Sequence, residues 1–217
     1  MELSPVVLPF ACLPNVEYMS WMIHSAGLNI EVHETFPRQT CRNRYAILTA
    51  EGPFMLTIPV KRPGGNHTPF KEVLLDDPAK WVNNHWRAIE SAYNKSPFFL
   101  YYRDVFEKIF RKPPDTLFEL NFQFLNTLNQ CFDIKPSFQF TTKFIRHYPP
   151  PVIDMRDLIM PKQDSAQQFP RQDYPPYIQA FSHKLAFAPN LSSLDLLFNL
   201  GPESVDYLTR IYHGNIA

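Results

Sequence analysis

The chain has 217 residues, enough for one domain with a sizeable core, and its Lys plus Arg and Asp plus Glu counts are equal at 21 each. That balance supplies no long-range field to recruit nucleic acid or an anionic membrane surface. Cys12, Cys41 and Cys131 show neither CxxC spacing nor a zinc pattern, while 19 Phe, 10 Tyr and 22 Pro against 6 Gly predict an aromatic core joined by stiff, irregular connections.

Glu2 in place of a basic flank, with Pro5, Pro9 and Pro14 interrupting the short apolar run, argues against a signal peptide. No stretch has the length of a membrane-spanning helix, so a reducing cytoplasm is the expected compartment. Val6 to Leu8 reads as a short buried strand. Asn15 then caps a helix whose apolar positions Val16, Met19, Met22 and Ile23 lead to a stop at Gly27. Leu28 to His33 alternates, which predicts a strand sending Asn29, Glu31 and His33 to the face opposite Leu28 and Ile30, with Glu34 at its end.

Three arginines, Arg38, Arg42 and Arg44, fall within seven residues before a second strand, Tyr45 to Thr49. The turn at Ala50 to Pro53 returns the chain into Phe54 to Lys61 as a hairpin. The loop centred on Gly64-Gly65-Asn66 has no Walker lysine and no helix start after it, so it is not read as a phosphate cradle. Phe70 to Leu75 makes a further strand. Asp77 and Pro78 open a central helix to about Asn94 that carries Trp81, Trp86, Ile89, Ala92 and Tyr93 on one arc. His85 sits in the middle of that arc, which makes it either a hydrogen-bonded core residue or a general acid or base in a dry site.

Ser96-Pro97 starts a second helix to about Arg111, and Thr116 to Glu119 is a capping box opening a third, with Leu120, Phe124, Leu125, Leu128 and Phe132 buried. Ser137 to Lys143 alternates like a strand. From His147 to Pro176 the chain is Pro-rich and polar, an extended crossing segment within a single domain spanning 1–217. Ser192 or Ser193 caps a helix that ends near Gly201, and Pro202 to Tyr212 forms a last one. Hairpin plus helices imply an α/β fold: a mixed β-sheet with an antiparallel hairpin, packed by several helices in one layered domain.

The blocks LPNVEYM, RQTCRNRYAI, FMLTIPVK, HWRAIESAY followed by SPFFLYY, and PNLSSLDLLFNLGPE stand in one order along nearly the whole chain. In that order the sequence resembles the WbqC-like protein family. Phe10-Ala11 stands where the family usually has Gln-Pro, Asn15 where it has Trp, and the acidic pair after the second strand is here His33-Glu34. The resemblance implies a transferase of bacterial surface polysaccharide (O-antigen type) biosynthesis, with acyl or aminoacyl transfer to a sugar or sugar nucleotide. The alternative class is a non-catalytic binding or assembly protein that recognises a nucleotide-sugar or carboxylate.

On the enzyme reading His85 and Glu90 are the catalytic candidates. Arg42, Asn43, Arg44, Tyr93 and Asn190 are the candidate contacts to a sugar nucleotide or acyl donor. Arg42 and Arg44, two apart, would point the same way on a continuing strand and grip a phosphate or carboxylate. Against each stands a structural reading: an intrahelical pair with Arg87 for Glu90, an N-cap for Ser96, capping for Asn190. His33, Glu34 and His85 supply possible metal ligands, but no comparable spacing links them and no metal site is assigned. Neither a cofactor nor an oligomeric state can be read from the chain.

Overall fold

The computed structural model describes residues 4–25, 27–36, 40–159 and 174–211. At its centre lies a four-stranded parallel sheet in the order β7-β2-β1-β8, built from β1 (Val6–Pro9), β2 (Leu28–Glu31), β7 (Phe138–Phe140) and β8 (Ile153–Asp154). Every residue of β1 is buried, as an inner parallel strand covered on both faces requires. Helix α1 (Val16–His24) makes the crossover from β1 to β2, because parallel neighbours cannot be joined by a tight turn.

The antiparallel hairpin is present as β3 (Arg44–Thr49) with β4 (Gly52–Thr57), and a second ribbon pairs β5 (Val60–Lys61) with β6 (Leu74–Leu75). Both kinds of pairing therefore occur, but in separate sheets and not in one. The run expected as a strand from Phe70 is a 3-10 turn, Phe70–Glu72, with only Leu74–Leu75 extended. Asp77 caps a 3-10 turn, Pro78–Lys80, and α2 proper runs Val82–Tyr93. Helices α3 (Phe99–Arg111) and α4 (Leu117–Cys131) follow. The Thr116–Glu119 capping box is formed, and all five expected apolar positions of the α4 region are buried. Helices α5 (Ser193–Leu200) and α6 (Ser204–Arg210) close the fold.

Side chains of the parallel sheet, the hairpin and all six helices belong to one continuous apolar core. Trp81, Trp86 and Phe110 meet within it, and Phe198 of α5 packs on Tyr93, Phe99 and Phe106. The aromatic content of the sequence is spent there, where each ring removes a large apolar area from water. Arg38 and part of the Pro-rich run, residues 160–173, lie outside the described residues.

Candidate functional site

Parallel strands end on the same side, and in open α/β sheets ligands gather at that edge. Here β2 ends in Glu31, the chain beyond it carries Glu34, Thr141 follows β7, and Asp154 with Arg156 ends β8. Glu31 has 0% exposure: its Oε1 accepts from Thr141 Oγ1 at 3.0 Å and from the His33 amide at 2.7 Å. Its Oε2 has no hydrogen bond and lies 3.5 Å from Arg156 Nη1. Arg156 forks onto Asp154 through Nε and Nη2 at 2.8 and 2.6 Å, and donates to the Ile145 and Arg146 carbonyls at 2.8 and 3.1 Å. The Phe144 and Tyr148 rings flank that guanidinium at 5.2 and 5.0 Å. Such stacking and fork geometry is specific to arginine.

A second fork stands beside it. Arg42, 1% exposed, donates through Nε and Nη2 to the carboxylate of Glu34, whose side chain is 12% exposed. The Asn121 amide fixes this corner by donating to the Phe10 and Arg42 carbonyls, both at 2.9 Å, and the Cys12 amide donates to the Cys41 carbonyl at 2.8 Å. Burial pushes the Glu34 carboxyl above the usual range. Arg42 pulls it back most strongly, Glu31 raises it further and Arg156 lowers it, so the two forks share one field. Glu31, Glu34, Arg42 and Arg156 are thus largely held out of bulk water, with Asp154 at the rim, its side chain 31% exposed. Apolar residues would fill the same space at less desolvation cost, and buried networks of this kind concentrate at functional sites. Within this network Glu34 combines a raised proton affinity with partial access to solvent.

The residues picked out from sequence are not brought together. His85, 4% exposed, has Nδ1 2.8 Å from the Tyr45 hydroxyl and Nε2 3.1 Å from the Thr57 carbonyl, so both nitrogens tie α2 to the hairpin. Nε2 donates to the Thr57 carbonyl, and in the neutral ring favoured by burial, which lowers its pKa to about 4, Nδ1 accepts from the Tyr45 hydroxyl. With both nitrogens engaged inside the core, the ring cross-links α2 to the hairpin. Glu90 pairs with Arg103 of α3 at 3.0 Å, not with Arg87 or His85.

Arg42 lies in the turn before β3, while Arg44 is already in the strand, which removes the shared direction expected of them. Arg44 carries a buried Nε without a hydrogen bond. Asn43 donates through Nδ2 to the Ile58 carbonyl at 2.9 Å, and its buried Oδ1 has no hydrogen bond. Tyr93 accepts from the Leu48 amide at 3.1 Å and hydrogen-bonds Asp195, and Asn190 exchanges two hydrogen bonds with Glu17. Ser96 donates to Asn199 Oδ1 at 3.0 Å and is not a side-chain cap of α3. Of the candidates only Arg42 belongs to the carboxyl-edge network.

Glu31, Thr141, Asp154 and Arg156 were not singled out beforehand. Alternation places Glu31 on the face away from Leu28 and Ile30, but does not show what that face meets. Asp154 and Arg156 were hidden in a Pro-rich run whose two-residue strand carries no periodic signal.

The fold and the network define an α/β protein with a buried ionic cluster at the carboxyl edge of its parallel sheet. Residues 11–149 match the WbqC-like protein family, and the chain belongs to it. The match includes Glu31, Glu34, Arg42 and Thr141. A similar chain is Uncharacterized protein Rv1507c of Mycobacterium tuberculosis (strain ATCC 25618 / H37Rv), 27% identical over 201 residues that make up 80% of this chain and 83% of that protein. No solved structure matches. Among the described residues no group of three or more His, Cys, Asp or Glu side chains is placed to hold a metal ion, and no helix is long and apolar enough to cross a membrane.

Proposed function

We propose that the protein is a cytoplasmic transferase of bacterial surface-polysaccharide (O-antigen type) assembly that moves an acyl or aminoacyl group to a sugar or sugar nucleotide at the carboxyl edge of the parallel sheet. The observation that carries this reading is the buried network of Glu31, Glu34, Arg42 and Arg156, in a chain whose family resemblance implies that chemistry. Glu34 takes the proton from the acceptor hydroxyl or amine as that atom bonds to the donor's carbonyl carbon. The donor's leaving group departs with the electron pair of the bond it loses. A carboxyl with raised proton affinity is suited to this exchange near neutral pH. Arg42 Nε and Nη2 hold Glu34 in place, while Nη1, with no protein acceptor among the described residues, faces the donor's anionic group. Arg156 and Glu31 are positioning residues.

The test is transfer of a labelled acyl group to a sugar nucleotide by the unaltered chain and by Glu34→Gln. The variant should lose about 10²- to 10⁴-fold in turnover while retaining donor binding. Undiminished turnover removes Glu34 from the chemistry. Sugar-nucleotide binding without turnover by the unaltered chain replaces the transferase with a binding or assembly protein.

A further inference from the structure

A cavity of about 630 Å³ opens on the side of the molecule where the α2–α3 junction, the segment 177–183 and the end of α5 meet. It shares no residue with the carboxyl-edge network. Its volume is that of a small-molecule site. The lining is predominantly apolar, with Pro97, Tyr177, Ile178, Ala180 and Leu200 contributing.

The buried polar groups beneath it are already spent within the protein. Ser96 Oγ donates to Asn199 Oδ1, and Asn199 Nδ2 donates to the Asp195 carbonyl at 2.7 Å. Gln179 donates to the Ala188 carbonyl and the Asp195 carboxylate and accepts from the Ala188 amide. To a ligand this floor presents little hydrogen-bonding capacity, so it favours an apolar body.

The rim differs. Among the described residues no carboxylate lines the cavity, whereas Lys95 and His183 both do. Both are exposed, and Lys95 has no acidic partner among the described residues. Ser182 Oγ accepts from the Gln179 amide at 2.8 Å and keeps its own proton to donate. An apolar floor under an unneutralised ammonium, with a hydroxyl donor beside it, is complementary to one kind of molecule.

We propose that this cavity is a binding site for a small anionic amphiphile, an aromatic or aliphatic body carrying one carboxylate, sulfonate or phosphate, whose anionic group sits at Lys95 and Ser182 and whose apolar part covers Pro97, Ile178 and Leu200. The site lies apart from the proposed transfer chemistry and stands whether or not that reading survives.

The probe is 8-anilinonaphthalene-1-sulfonate, a fused aromatic bearing one sulfonate, titrated by fluorescence into the full chain. Binding should saturate at one probe per chain with blue-shifted emission. The same aromatic without its charge, N-phenyl-1-naphthylamine, should bind more weakly. Lys95→Glu and Ile178→Glu change exposed side chains, Ile178 being 82% exposed, and each should weaken binding by about tenfold or more with the thermal transition unchanged. In the unaltered chain the His183 ring resonances should move along the same saturation curve. Absence of saturable binding, undiminished affinity in either variant, equal affinity for the neutral probe, or an unmoved His183 overturns the proposal.

Discussion

At the scale of single residues, His85 shows how far apart chemical capacity and chemical use can lie. Imidazole titrates near neutrality, yet here burial lowers its pKa from 6.5 to about 4, only partly countered by the Thr57 carbonyl. Between those values the unfolded chain binds a proton that the native ring refuses. The contribution is therefore complete above pH 6.5 and is lost as pH falls towards 4, up to about 3 kcal/mol. Asp195 and Glu34 work in the opposite sense, since burial raises both and the native state holds their protons longer. The difference between the unaltered chain and His85→Gln isolates the histidine. Gln keeps one donor and one acceptor without titrating, so urea titrations should show a shallower fall in stability from pH 6.5 to 4 in the variant, and parallel pH profiles would remove the histidine from acid unfolding. The stripe carrying His85 was legible in the sequence, because 3.6-residue periodicity is local. Its partners Tyr45 and Thr57 were not, because they arrive from a hairpin 40 and 28 positions away.

At the scale of elements, helix ends follow the same division. Thr116 and Glu119 form a box whose members lie three residues apart, and sequence spacing suffices to find it. The start of α1 is completed from the other end of the chain. Val16 donates to the Leu191 carbonyl, Glu17 to Asn190 Oδ1, and Tyr18 to Asn15 Oδ1, at 3.0 Å each, while Met19 reaches the Asn15 carbonyl at 3.2 Å. The amides of the first three helical residues are thereby satisfied, two by the Asn190–Leu191 segment, and Met19 begins the intrahelical ladder. Asn190 holds φ at 55°, a conformation that asparagine tolerates better than other side-chain-bearing residues. Two substitutions separate its roles. Asn190→Ala loses both the amide contact and the conformational tolerance, about 2 kcal/mol, while Asn190→Gly loses only the contact, about 1 kcal/mol. Urea midpoints in the order unaltered, Gly, Ala support this account. Equal losses would confine Asn190 to capping.

At the scale of the whole molecule, the segment from Asn190 to Gly201 draws separate parts together. Ser192 and Ser193 donate to the Leu13 and Pro14 carbonyls ahead of α1, the Ser192 amide reaches Ala46 of the hairpin, and the Phe98 amide donates to the Phe198 carbonyl at 3.0 Å. The existence of α5 and its stop at Gly201 were legible through local caps, whereas these closures depend on residues a hundred or more positions away. Gly201 is where the closure is tightest. Its φ of 54° and ψ of −123° fit glycine, and an added Cβ would lie 2.5 Å from the Phe98 ring, between the helices of the central aromatic cluster and α5. Gly201→Ala should therefore cost on the order of 3 kcal/mol or more, backbone strain and steric clash together. A double-mutant cycle with Phe98→Ala divides the two, because removing the ring relieves the clash and leaves the strain. The alanine at 201 should cost about half as much in that background, with roughly 1 to 2 kcal/mol remaining. If the cost is the same in both backgrounds, the ring yields without penalty and the closure rests on the backbone of Gly201 alone. If it vanishes when the ring is gone, packing between α5 and the α2–α3 junction sets the limit by itself.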